Sequence, residues 1–522
     1  MTVSRRDFFA TTAAFANELF AAPNDSKTPN RALQNLADTA LREAKRLKAS
    51  YCDIRINRYR EQGISIRLSP ERGTSKTLEV PEISDTDSFG FGVRVIVNGA
   101  WGFASSPRVV AAEITRITQE AVAVAKANAT IKPRLIVLAP TKAYIDRWTS
   151  PFERNPFEVP IPEKLTLLTA VAREVKKERR VLSSNASLNF RSEDKYFASS
   201  EGSSIQQLII HTSGSATANA VDVQKRLSKS RSYIPTPLST GYEFVPQMNM
   251  TENARRIREE VVEHLAAPPV RPGKKDLVLM PSHLFLTIHE SIGHPTELDR
   301  ALGYEANYAG TSYLTLDKLR KARIASDIVN IFGDRTTERG LATVAYDDDG
   351  VKTMKFPIVS KGIFSGYQTI RDQAHIIGEK ESRGCCYADS WSSVPFQRMP
   401  NVSMEAGTTD LTVEDLIGGI EDGILIEGRG SYSIDQQRYN FQFGGDAFWE
   451  IKGGKKRGMI SQVAYQARSP DFWTACDGIA GPSYWQMYGS ARDGKGEPTQ
   501  INSMSHGCSP SRFRSIDVIG TD

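Results

Sequence analysis

The chain has 522 residues, with 66 basic and 61 acidic side chains and a net charge of +5. At 40% hydrophobic and 24% charged, it has the make-up of an ordinary globular protein with room for two or three cores. So balanced a charge, with no long basic run, gives no argument for a nucleic-acid partner, and no apolar stretch reaches the roughly 18 residues of a membrane span.

The first residues, Ser4-Arg5-Arg6-Asp7-Phe8-Phe9, resemble a twin-arginine export signal. A weakly apolar stretch from Ala10 to Ala22 follows, broken by Asn17 and Glu18, with Ala21-Ala22-Pro23 near a cleavage site. Residues 1–25 are therefore expected to lie outside the fold and the protein to be exported, to the periplasm; an amphipathic tail on a cytoplasmic chain is the alternative. Residues 33–128 form a first α/β module. Leu33, Leu36, Ala37, Ala40, Leu41, Ala44 and Leu47 recur at helical spacing, and Cys52, Ile54 and Ile56 alternate as in a half-buried strand. Asn98-Gly99 predicts a tight hairpin between Phe91–Val97 and Ala100–Ala104, and Pro107–Ala127 is helical. A central α/β module spans residues 141–267, with helices at Glu163–Glu178 and Glu252–Ala266 around extended strands in 181–223.

The Pro-rich break Pro268–Pro272 opens a β-rich domain over residues 273–522, so the fold class is α+β. Strands are expected at Asp276–Met280, Thr343–Tyr346, Gly423–Glu427 and Ala447–Ile451. Asp347-Asp348-Asp349-Gly350 reads as a solvated hairpin turn. Five cysteines, Cys52, Cys385, Cys386, Cys476 and Cys508, are too few for a disulfide scaffold in a chain of this size. His211, His264, His283 and His375 read as structural, and Trp473 and Trp485 as core residues.

The run His289-Glu290-Ser291-Ile292-Gly293-His294 carries the chemistry. Two neutral imidazoles are ligands for a zinc-like ion, and a Glu beside them can take a proton from water. In H-E-x-x-H the histidines stand four apart, about 400° around a helix; here they stand five apart, about 500°, and diverge by about 140°. They reach one ion only if the helix bulges or ends between them, for which Gly293 and Pro295 give a reason. Leu284, Phe285, Ile288 and Ile292 dock the helix by one apolar face.

With Glu297, Leu298 and Gly310-Thr311-Ser312 after it, this motif resembles the TldD branch of the TldD/PmbA metalloprotease family. Gly90-Phe-Gly-Val-Arg-Val95, Gly102-Phe103-Ala104-Ser105, Tyr346-Asp-Asp-Asp-Gly350, Gly362-Ile363-Phe364-Ser365-Gly366, Arg398-Met399-Pro400-Asn401 and Gly494-Lys495-Gly496 have counterparts in the same order. The PmbA branch lacks the histidine motif. The resemblance implies a peptidase with one zinc ion per chain, acting on small peptides or unfolded segments. It implies a dimer, with itself or with a PmbA-like chain, and a substrate held as an added strand. Carried over by position, His289 and His294 are metal ligands and Glu290 is the general base. The family's third ligand is a cysteine before the Gly-Lys pair; here that position is Asp493. A carboxylate binds zinc well but is harder than a thiolate. Cys508, then His506, are the alternative third ligands, with Cys476 a weaker one, and Asp493 capping a turn before Gly494 is the structural alternative. Two other functions stay open: an exported peptide-binding protein with a degenerate metal site, and an amidase acting on cell-wall peptides.

Overall fold

A computed structural model describes residues 16–20, 28–74, 76–131 and 134–521. Long strands dominate the first half because inward and outward residues alternate over great lengths. β1 (Tyr51–Pro70) pairs along its whole length with β2 (Thr77–Val97) and over most of it with β5 (Val181–Ser199). With β3 (Ala100–Ser106), β4 (Ile145–Thr149) and β6 (Ser204–Asp222) they form a sheet of order β3-β2-β1-β5-β6-β4, and β7 (Leu227–Tyr233) also pairs with β6. The expected hairpin joins β2 to β3, with Asn98 and Gly99 both left-handed (φ 53° and 75°), as a tight turn matched to strand twist requires.

The helices cover this sheet by their apolar stripes. α1 (Arg31–Arg46) and α2 (Ala111–Ala129) share a core with Ile54, Ile56, Val93 and Val95. α3 (Ile161–Val175) and α4 (Met250–Ala266) share a second core with Ile64, Ile66, Leu68 and Leu188. The segments 33–128 and 141–267 thus keep separate cores on one continuous sheet, because β1 runs through both.

Part of the stretch 1–25 packs on the fold, contrary to the expectation that it lies outside. Residues 16–20 are helical, Ala16, Leu19 and Phe20 are buried in the first core, and Phe20 meets Phe89 edge-on. Arg5-Arg6 and the Ala21-Ala22-Pro23 segment lie outside the described residues.

β8 (Gly273–Leu279) opens the second half, parallel to strand Asp422–Glu427 and antiparallel to strand Ser511–Gly520, at the centre of a nine-stranded sheet. The expected strand Ala447–Ile451 is present as Ala447–Lys452, whereas Thr343–Tyr346 is irregular, with one isolated bridge from Tyr346 to Lys352. All five cysteines are free and buried.

The acidic turn Asp347–Asp349 is buried, not solvated. It enters the face of the N-terminal sheet that carries inward-facing cations. Arg94 bonds both Asp53 (2.9 Å) and Asp349 (2.6 Å), and Lys195 bonds Asp348. Asp347 accepts from the backbone of Asp349, Val351 and Cys386. Charge partners 255 residues apart in sequence made the turn look like an exposed one. Arg94→Met leaves Asp53 and Asp349 buried without their shared cation. Stability should fall by about 3–5 kcal/mol, read from the denaturant midpoint; a change below about 1 kcal/mol would show that the network holds nothing.

Candidate metal centre

β8 delivers the chain through Met280 into α5 (Pro281–Ile288), whose first position is a proline with no amide hydrogen to leave unsatisfied. The helix then changes gauge. His289–Gly293 is a π-turn, closed by the His294 amide bonding the His289 carbonyl, and His294–Thr296 is a 3-10 turn starting before Pro295. An i→i+5 turn returns residues five apart to one face, which removes the divergence a regular helix would impose. The rings of His289 and His294 accordingly meet edge to face at 4.5 Å.

Side chains take up the polar groups that the irregular turn releases. Gln368 donates to the Gly293 carbonyl (2.6 Å), Thr296 to that of Ile292 (2.8 Å), and Tyr313 to that of Ser291 (3.1 Å). Trp473 donates to the Ser291 hydroxyl from within the core (2.8 Å). Met399 packs directly on Gly293: a Cβ there would stand 2.7 Å from its sulfur, so the methionine would have to shift.

Asp493 comes from strand Gln486–Lys495, which pairs with strand Gln500–Cys508 through an irregular register between Ser490 and Asp493. It is a strand residue and does not cap a turn. Its Oδ1 lies 3.4 Å from His289 Nε2 and 3.7 Å from His294 Nε2. One ligand atom from each of the three lies within 4.8 Å of the other two. Arg398 fixes the carboxylate from behind, donating to Oδ2 at 3.0 Å and to the Asp493 carbonyl at 2.7 Å.

The surrounding hydrogen bonds set the proton positions. The Val402 carbonyl can only accept, so His506 donates from Nδ1 (2.7 Å). Burial holds the His506 pKa well below its ordinary value, so its Nε2 carries a lone pair and accepts from His289 Nδ1 (2.9 Å). His294 Nδ1 donates to Glu297 (3.0 Å). Burial works against the Glu297 carboxylate, but Lys495 and Arg300 outweigh it and hold the group ionised. In the neutral form of each ring, Nε2 therefore faces Asp493 as a lone pair.

Burial pushes His294 down to about 4. Burial opposes charging His289 as well, yet its hydrogen bond to Asp493 and that group's charge raise its pKa. Asp493 would be raised by burial; His294, His289 and Arg398 instead hold it below the usual carboxylate range. In the absence of an ion, a proton on His289 relieves the crowding. The donor set suits a metal: zinc ligands about 2.0–2.1 Å from the ion stand about 3.3 Å apart in a tetrahedron, close to the two distances from Asp493 to the histidines.

Of the alternatives, Cys508 is packed in the apolar core, with its thiol pushed up by burial, and is not brought to the histidines. Cys476 lies in the same core. His506 stands behind His289 as its hydrogen-bond partner. His283 points away and bonds the Gly428 carbonyl and Tyr465 hydroxyl. Arg398, Arg300 and Lys495 escaped the sequence reading as site residues, although Arg398 and Lys495 lie in motifs it had singled out.

Family models meet the chain in two places. Residues 77–125 match PmbA/TldA metallopeptidase domain 1, and residues 272–520 match the PmbA/TldA metallopeptidase C-terminal domain, together more than half of the chain. The chain belongs to the TldD/PmbA family. A family relative, a metalloprotease of Methanocaldococcus jannaschii, is 25% identical over 452 residues, covering 86% of this chain and 93% of its own. The zinc metalloprotease TldD homolog of Saccharolobus solfataricus is 25% identical and covers 74% and 79%. Among solved structures, a putative modulator of DNA gyrase from Bacteroides thetaiotaomicron superposes with a TM-score of 0.71 at 17% identity, over 94% of this chain and 99% of that one. TldE from Thermococcus kodakarensis gives 0.70 at 16% identity, over 94% and 100%. Both likenesses concern the TldD/PmbA fold.

Two outcomes test the ligand geometry. Elemental analysis should find an ion in the wild-type chain and in Cys508→Ala, and none in Asp493→Ala; the reverse pattern would move the third ligand. Replacing His506 by Phe removes the acceptor that orients His289, and should weaken metal affinity by about 10–100-fold in a chelator competition.

Proposed function

We propose that this chain is a metal-dependent peptidase that hydrolyses peptide bonds in small peptides or unfolded segments. The observation that carries the reading is the convergence of two imidazole lone pairs and a carboxylate beside Glu290. His289, His294 and Asp493 would hold one ion, zinc by the donor set and by the name of the Saccharolobus relative. When bound, such an ion polarises the scissile carbonyl and lowers the pKa of water in the site.

The protein's own groups do the rest. Glu290 is buried one residue after His289, on the rigid π-turn, and takes the proton of the attacking water. It then returns that proton to the leaving nitrogen. Glu297 and His506 keep both imidazoles in the Nε2-ligating tautomer, and Arg398 keeps Asp493 ionised and aimed. Asp493, where the family resemblance puts a cysteine, favours harder ions and weaker retention than a thiolate.

Family resemblance supports a dimer, with a second copy or a PmbA-like chain, and the Arg5-Arg6 leader supports export. No helix among the described residues is long and apolar enough to cross a membrane.

Glu290→Gln should keep its ion, by elemental analysis, while peptide hydrolysis falls by about 10²–10⁴-fold. Wild-type rates in a metal-loaded Glu290→Gln would sink the mechanism. A wild-type chain that takes no metal on reconstitution, yet binds peptides whether or not a chelator is present, would leave a peptide-binding protein instead.

A further inference from the structure

Glu290 does not stand alone. Its Oε2 is ion-paired with Nη1 of Arg438, a side chain only 14% exposed. Arg438 lies in the turn between strands Tyr432–Ile434 and Asn440–Phe443. Its backbone is left-handed, φ 62°, a conformation that suits glycine and costs a long side chain.

The turn is braced to hold that conformation. The Asp435 carboxylate accepts from the amides of Tyr439 (2.8 Å) and Asn440 (2.9 Å), and the Arg438 amide donates to the Asp435 carbonyl (2.9 Å). Ser469 donates to the Arg438 carbonyl (2.7 Å). The turn also docks on the segment after the histidine motif: Thr311 and Tyr313 donate to the carbonyls of Gln436 and Gln437, both at 2.8 Å. Gly310 permits that approach, since a Cβ there would stand 2.1 Å from the Gln436 oxygen.

The guanidinium is thus placed at the proton acceptor, in a buried site, at a backbone position better suited to glycine. Its Nε is buried and has no hydrogen-bond partner among the described residues. The neighbouring cations are committed to support: Arg398 to Asp493 and the Gln500 carbonyl, Arg300 to Glu297 and the Ala309 carbonyl, Lys495 to Asp299 and Gln397.

We propose that Arg438 is a catalytic residue that stabilises the oxyanion of peptide hydrolysis, following negative charge as it leaves Glu290. This rests on the peptidase reading above. The water oxygen bonds to the carbonyl carbon, the π pair moves to the carbonyl oxygen, and the water proton passes to Glu290. Negative charge disappears from the carboxylate as it appears on the substrate oxygen. Glu290, now neutral, releases the guanidinium, which donates to that oxygen. The carbonyl then re-forms, the C–N bond breaks with its pair going to nitrogen, and Glu290 returns the proton there. Because the charge beside Arg438 stays constant, the site needs little reorganisation at the moment of reaction.

Arg438→Gly is the informative variant, since glycine suits φ 62° and preserves the turn. It should keep its metal content and its native circular dichroism spectrum, with a lower thermal midpoint because the buried Glu290 loses its partner. KM should stay within about threefold, while kcat falls by about 10²–10³-fold. Affinity for a phosphinic peptide that mimics the tetrahedral state should fall by a similar factor, and added guanidinium ion should restore part of both. Arg438→Lys, which keeps the charge, should fall between. A cleaving wild type with Arg438→Gly at unchanged or higher kcat, or with unchanged phosphinate affinity, would overturn this inference alone; a rise would mark the ion pair as a brake on Glu290. A metal-loaded wild type that cleaves nothing would overturn the peptidase reading, and this inference with it.

Discussion

His289, His294 and Asp493 turn three lone-pair-bearing atoms on one another where little water reaches, and only positive charge at their centre offsets that repulsion. Much of the surrounding structure follows from this constraint. In the neutral rings the two Nε2 atoms are the proton-free ones, because His506 and Glu297 take the other ring hydrogens. Glu297 can stay ionised in a fully buried position because Lys495 and Arg300 reach it. Lys495 lies two residues beyond Asp493, so the strand that brings the carboxylate to one side of the site also brings the cation that supports the other.

The backbone is shaped to the same end. A regular helix would have sent the imidazoles apart; the π-turn is held because Gln368, Thr296 and Tyr313 bond its carbonyls and Trp473 anchors the Ser291 hydroxyl. Such turns cost stability in isolation and persist where tertiary contacts hold them, often at functional sites. Met399, packed on Gly293, and Arg398, bonded to Asp493, are neighbours in one short motif, which therefore clamps both halves of the centre at once.

Charge also joins the two halves of the chain. The Asp347–Asp349 turn belongs to the C-terminal half, and its cations Arg94 and Lys195 belong to the N-terminal sheet. Buried ion pairs give little net stability but penalise any arrangement in which the partners miss each other. The network thus fixes how the sheet sits on the domain that bears the metal ligands.

The sequence by itself determined the α+β class, the tight turn at Asn98-Gly99, the main helices and the break before β8, because these depend on local periodicity and turn chemistry. It also singled out His289, Glu290 and His294 as a candidate set, and determined the need for a distortion if both histidines are to meet, since five residues and a helical pitch suffice for that argument. Asp493 was within reach only through the family resemblance; no local signal distinguishes an Asp-Gly strand residue from an Asp-Gly turn. Tertiary structure alone decided that Asp493 and not Cys508 meets the histidines, that His506 stands behind one of them, and that an acidic turn is buried. It alone placed Arg438 on Glu290, 148 residues away in sequence. Each of these rests on partners brought together by sheet register and domain docking, and pairings at that range leave no periodicity in the chain to be read.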